Sequence, residues 1–139
     1  MRSTQFRVRS ASRAAFSRSG VSAIAPRFRS RVCVTNWQPS QTYDVWHDRA
    51  ALHFLTDPKD RAAYVERVAK AVLGGHVIIG TFALDGPERC SGLPVVRYDA
   101  ASLAQMLGDG FALVETRNHQ HTTPWQSVQQ FQFSLFRCV

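Results

Sequence analysis

His47, Asp48 and Arg49 put an imidazole, a carboxylate and a guanidinium side by side. They follow the short apolar run Tyr43 to Trp46, itself preceded by a Pro-Ser-Gln turn, so a strand delivers them at its carboxyl end. Open α/β sheets bind their ligands at that end. An Asp or His placed there can position a substrate hydroxyl or amine, or take its proton. The structural alternative is that Asp48 and Arg49 pair with each other or cap a helix.

The remaining reactive types are scattered. His53 follows His47 by six residues, which is neither the helical nor the strand spacing of metal ligands, so it reads as a packed core histidine. His119-x-His121 has strand spacing but no third ligand nearby, and reads as a polar hairpin tip; no metal site is expected. Cys33, Cys90 and Cys138 lie far apart without a Cys-x-x-Cys pair, which fits neither a disulfide framework nor a zinc ribbon. They read as reduced thiols of a cytoplasmic protein, and Cys90, in a loop without a partner base, is a poor nucleophile candidate.

The elements that must carry these residues alternate between strand and helix, the order of an α/β domain with a mostly parallel sheet. Asp57-Pro58 is a cap followed by proline at the first helical position, and predicts a helix from about Pro58 to Leu73. Tyr64, Val68 and Val72 make its apolar stripe, and Gly74-Gly75 stops it. His76 to Phe82, apolar without alternation, predicts a central parallel strand whose last residues, Thr81 and Phe82, border a pocket. Asp99 caps a helix over Ala100 to Leu107, and Phe111 to Thr116 is the next strand. Phe131, Phe133 and Leu135 alternate with Gln130, Gln132 and Ser134, so Val128 to Phe136 is a strand with unequal faces.

At 139 residues, 45% hydrophobic and 11% aromatic, the chain has the make-up of one domain with a core. No run approaches the roughly 18 apolar residues of a membrane span. The net charge of +7 is not spread evenly: Met1 to Thr42 holds eight arginines and no acid, whereas Tyr43 to Val139 carries a net −1. Residues 1–34, rich in Arg and Ser, are expected to be disordered, and residues 35–139 to form the organised part. Three readings of the first segment stand side by side: an organellar transit peptide, a nucleic-acid-binding arm, or a stretch that is not the domain's natural beginning, such as a shifted frame of GC-rich DNA.

The residues Tyr43-Asp44-Val45-Trp46-His47-Asp48-Arg49-Ala50, His53-Phe54-Leu55 and Gly74-Gly75-His76-Val77-Ile78-Ile79-Gly80-Thr81-Phe82 together carry a resemblance. From about Val34 to Val139 the chain resembles the second half of class I S-adenosylmethionine-dependent methyltransferases. In that family a strand ends near the cofactor, a helix follows, and a Gly-Gly turn leads into the fifth strand; a helix then precedes a sixth strand and an antiparallel seventh. Asp85 to Tyr98 is similar to the loop over the substrate in one bacterial-type subgroup. The implied fold is a truncated Rossmann-like methyltransferase sheet, mostly parallel with an antiparallel last strand.

The resemblance implies S-adenosylmethionine as cofactor and a small-molecule methyl acceptor. Trp46, His47, Asp48 and Arg49 would lie beside the cofactor, with His47 and Asp48 acting on the acceptor, and Phe82, Arg89, Arg97 and Tyr98 around it. The family's Gly-x-Gly-x-Gly loop has no counterpart: the one glycine before Gly74 is Gly20, and no acid precedes Asp44. The expectation is therefore a methyltransferase-like chain missing most of its cofactor site, and inactive if that half is required. A sheet without its leading strands also exposes an edge, which predicts pairing of two copies. Two rivals come from another class: a degenerate methyltransferase domain serving as a scaffold, and a nucleic-acid binder acting through the arginine arm, the latter not expected of the organised part.

Overall fold

The computed structural model describes residues 38–139; the expectation of a disordered 1–34 lies outside the described residues. Within them the chain order is β1 (Val45–Arg49), a 3-10 turn (Leu52–Phe54), α1 (Pro58–Ala71), β2 (His76–Phe82), β3 (Arg89–Cys90), β4 (Leu93–Pro94), α2 (Ala100–Leu107), β5 (Phe111–Thr122) and β6 (Val128–Cys138). Both helices start on the caps their sequences predict. Asp57 accepts from the Lys59 amide at 2.8 Å with Pro58 next in line, and Asp99 accepts from the Ser102 amide at 2.8 Å while the Ser102 hydroxyl takes the Asp99 N–H at 3.0 Å.

α1 ends at Ala71, two residues before the sequence predicts. The Gly75 amide turns back to the Val72 carbonyl at 2.7 Å, Gly74 takes φ +75°, and Leu73 is left in solvent. Gly75 must be glycine because a Cβ there would lie 2.5 Å from the Asp44 carbonyl oxygen. β1 begins at Val45 rather than Tyr43, since the Tyr43 amide is spent on the Ala71 carbonyl at 2.6 Å. β5 runs six residues past the expected Thr116, so β5 and β6 form a long hairpin.

The main sheet has the order β1-β2-β6-β5. β1 and β2 are parallel, β6 is antiparallel to both β2 and β5, and so β6 alone runs against the other three. Three of the four strands run the same way and the last is reversed, as expected, but its insertion between β2 and β5 leaves β1–β2 as the one parallel pairing among the described residues. Hydrogen bonding pairs β3 with β4 in a separate small hairpin, whose turn residues Ser91 and Gly92 both have positive φ.

One face of the sheet carries the core. Val77, Ile79, Phe136 and Cys138 pack with Tyr64, Val68 and Ala71 of α1, Leu103 and Leu107 of α2, and Leu52 and Leu55 of the 3-10 segment. The register places Trp46 and Asp48 on this same face, opposite Val77 and Ile79. The other face carries Val45, His47 and Arg49, then Ile78 and Gly80, then Phe131, Phe133 and Leu135. No helix among the described residues is long and apolar enough to cross a membrane.

Candidate functional site at the carboxyl ends of β1 and β2

Alternation along β1 divides the four residues Trp46 to Arg49 between the two faces of the sheet. Trp46 and Asp48 point to the helical side. The Trp46 indole Nε1 donates to the Tyr64 hydroxyl at 3.1 Å, and that hydroxyl donates to Asp48 Oδ2 at 2.7 Å. The Asp48 carboxylate also accepts from the backbone amides of Ala51 at 2.9 Å and Leu52 at 3.1 Å. Asp48 is only 4% exposed; burial pushes its carboxyl up, while the Tyr64 hydroxyl and the two amides pull it down. Its geometry is that of a cap for the turn after β1.

That turn is strained. Ala50 has φ +60°, a left-handed conformation that costs a residue with a Cβ about 1 kcal/mol or more. It is held there from both sides: its amide donates to the Gly80 carbonyl at 2.8 Å, and Asp48 gathers the next two amides. The loop from Ala50 to Leu55 is thereby fixed against the end of β2.

His47 and Arg49 face the other way. The Arg49 guanidinium lies over the Phe131 ring, 5.6 Å from its centroid. Phe131 in turn meets Phe82 edge-on at 4.9 Å and stacks against Phe133 at 6.0 Å. Phe133 covers Gly80, where an added Cβ would collide with the edge of its ring. His119 and His121 meet Phe133 and Phe131 edge-on, at 6.4 and 6.3 Å between centroids. The two histidines thus lie on one face, as their spacing predicts; among the described residues no three His, Cys, Asp or Glu side chains converge.

Phe82 and Tyr98 are buried, and the Tyr98 amide donates to the Phe82 carbonyl at 3.0 Å. The Tyr98 hydroxyl is enclosed without a hydrogen-bond partner, and burial raises its pKa. Arg89 and Arg97 sit apart from this pair and tie the loop to itself. Arg97 Nη1 donates to the Gly86 carbonyl at 3.2 Å and its Nη2 reaches Glu88, while Arg89 Nη1 donates to the Gly92 carbonyl at 3.0 Å. The structure thus brings Phe82 and Tyr98 together and leaves both arginines bonded within the loop. Cys90, in the same small hairpin, has its thiol pushed up by burial, which keeps it protonated.

Two residues of the site carry no signal that spacing reveals. Tyr64 belongs to the apolar stripe of α1, yet its hydroxyl joins Trp46 to Asp48. His53 is fully buried, as a core histidine should be, with its ring against Phe54 and Phe82. Both of its nitrogens lack partners among the described residues, and burial lowers its pKa to about 4.

The described residues do not by themselves form a cradle for S-adenosylmethionine. The groups best suited to hold it, the Asp48 carboxylate and the Trp46 indole, are turned inward and bonded to the chain's own atoms. His47 and Arg49 lie on the other face of the sheet, Arg49 over the Phe131 ring.

No family model matches the sequence, and no curated protein matches it. The fold, in contrast, is shared with solved methyltransferases. A S-adenosylmethionine-dependent methyltransferase from Methanosarcina mazei superposes with a TM-score of 0.57 at 12% identity, over 73% of this chain and 62% of that one. The N-methyltransferase NodS from Bradyrhizobium japonicum, in complex with S-adenosylhomocysteine, gives 0.57 at 16%, over 76% and 50%. A Burkholderia thailandensis 1,6-didemethyltoxoflavin-N1-methyltransferase gives 0.58 at 20%, over 76% and 48%; it holds its substrate and S-adenosylhomocysteine. The chain thus shares the Rossmann-like α/β sheet of these solved structures, and it spans between 48% and 62% of their length.

Proposed function

We propose that this chain supplies the acceptor-side half of a S-adenosylmethionine-dependent methyltransferase acting on a small molecule in the cytoplasm. The observation that carries the reading is the strand order β1-β2-β6-β5, with β6 reversed between its neighbours and both helices on one face, in a fold shared with methyltransferases. The cofactor supplies an electrophilic methyl group when bound. The chain's residues orient the acceptor and exclude water from it.

In this reading His47 and Arg49 face the ligand from the end of β1. His47 accepts the acceptor's proton, and Asp48 acts through the loop it caps rather than by touching the acceptor. Phe82 and Tyr98, buried together, back the loop that carries Arg89 and Arg97 beside the acceptor. Copies of the chain pair through a free edge of the sheet. The testing experiment is calorimetric titration of the purified, monodisperse chain with S-adenosylhomocysteine. Micromolar binding supports a site completed within this chain or by a second copy. No binding by a folded chain overturns the enzyme reading and leaves a methyltransferase-like scaffold.

One observation favours a second reading: eight arginines and no acid among residues 1–42 suit a nucleic-acid-binding arm. Binding of an oligonucleotide that weakens steeply with salt, and is lost when residues 1–35 are deleted, supports it.

A further inference from the structure

β5 is an outer strand of the sheet. It pairs with β6 from Phe111 to Thr122 and, among the described residues, with no strand on its other side. Ala112 through Gln120 are all exposed. An unpaired edge of this length presents a row of amide and carbonyl groups able to template another strand. Natural edges of this kind carry charges that either forbid pairing or choose one partner and one register.

We propose that a second copy of this chain pairs with this edge, antiparallel about a two-fold axis through Thr116, so that Glu115 of each copy faces Arg117 of the other. This edge is the opposite one from β1, where missing leading strands would pair, and the proposal is independent of the methyltransferase reading.

Charge favours this register over its two neighbours. Glu115, Arg117, His119 and His121 lie on one face of β5, opposite Leu135, Phe133, Phe131 and Gln129 of β6. A two-fold axis normal to the sheet keeps faces matched, so the allowed registers differ by steps of two residues. Centred on Thr116, the pairing sets Glu115 against Arg117 twice and Thr116 against Thr116, both favourable cross-strand pairs. Shifting by one step either way sets Glu115 against Glu115 or Arg117 against Arg117, and like charges directly opposite are unfavourable.

Within one chain Glu115 and Arg117 already lie 2.5 Å apart, with side chains 49% and 78% exposed. Two copies would join these pairs into an alternating ring of four charges. The bulge between Leu113 and Glu115 ends the regular stretch of the ladder. In this register the bulge of each copy lies opposite Asn118 and His119 of the other, so the regular part of the new ladder runs from Glu115 to Arg117.

Sedimentation velocity on the full chain tests this with charge reversals. The wild type is expected to dimerise; Glu115→Arg and Arg117→Glu should each weaken the dimer about tenfold or more, and the double reversal should restore it. Circular dichroism checks that every variant is folded. A monomeric wild type, or a dimer indifferent to both single reversals, overturns the proposal. Directly opposed residues lie about 4.5–5.5 Å apart at Cα, within disulfide reach. With Cys33 and Cys90 replaced by Ser, Thr116→Cys should therefore crosslink two chains under mild oxidation, and Asn118→Cys should not. Preferential crosslinking at 118 overturns the register. S-adenosylhomocysteine titration of the same variants reports on the methyltransferase reading separately, since none of these residues lies at the ends of β1 and β2.

Discussion

The Tyr64 hydroxyl donates to Asp48 Oδ2 at 2.7 Å, from the middle of α1 to the penultimate residue of β1. This bond joins the helix to the strand at the point where the chain turns into the 3-10 segment, and the same carboxylate gathers the amides of Ala51 and Leu52. Tyr64→Phe keeps the ring in the core but removes a donor from a buried carboxylate. A hydrogen bond to a charged group contributes roughly 1.5–3 kcal/mol, so urea unfolding at pH 7 should show a loss of that size. An unchanged midpoint would mean that the loop is held by its backbone bonds alone.

Acid should destabilise the fold through His53. Its folded pKa of about 4 lies below the ordinary value of 6.5, because burial disfavours the imidazolium. Between those values the unfolded chain binds the extra proton. This contribution to stability is therefore complete above about pH 6.5 and is lost as pH falls toward 4, up to about 3 kcal/mol. His53→Phe keeps a ring against Phe54 and Phe82 and should flatten that part of the stability profile. Denaturant titrations of both proteins at pH 7.5 and pH 5 give the comparison; parallel losses would place the acid sensitivity elsewhere.

Features governed by neighbours in sequence were legible before the structure. The caps at Asp57 and Asp99, the span Ala100–Leu107 and the strand His76–Phe82 all depend on local hydrogen bonds or local apolar runs, and each lies where the sequence puts it. The sequence pattern overruns the end of α1, because apolar Val72 and Leu73 continue it while the Gly75 amide takes the Val72 carbonyl and ends the helix early. The candidate site was legible in position only. Which of the residues from Trp46 to Arg49 lie on the helical face and which on the other depends on strand phase, and phase is set by pairing with β2 about thirty residues away. The Tyr64 hydroxyl and the left-handed Ala50 depend on long-range contacts and leave no local mark.

Ala50→Gly should stabilise the fold. Ala50 holds φ +60°, where glycine meets no Cβ penalty, although glycine also gains freedom in the unfolded chain. The net gain expected in thermal or urea unfolding is about 0.5–1 kcal/mol. If Asp48 and Gly80 hold the turn as tightly as their bonds to Ala51, Leu52 and Ala50 suggest, the gain comes without a change in the loop. A loss of stability would mean that the unfolded-state entropy of glycine outweighs the relief of strain.

Gly80 and Phe133 should show strong energetic coupling. They face each other across β2 and β6, and the Phe133 ring occupies the space that a side chain at 80 would need. The ring is not free to swing aside, because it stacks on Phe131, which Arg49 covers on the same face. Gly80→Ala should therefore cost about 1–3 kcal/mol, as overpacking does in a close-packed interior. Phe133→Leu alone loses ring contacts, but combined with Gly80→Ala it makes room for the methyl group. The double variant should then be more stable than the sum of the single losses by roughly 1 kcal/mol or more, read from urea midpoints in a double-mutant cycle. Additive losses would mean that β6 shifts to admit the methyl group, and that the aromatic row from Phe82 to Phe133 is softer than its packing implies.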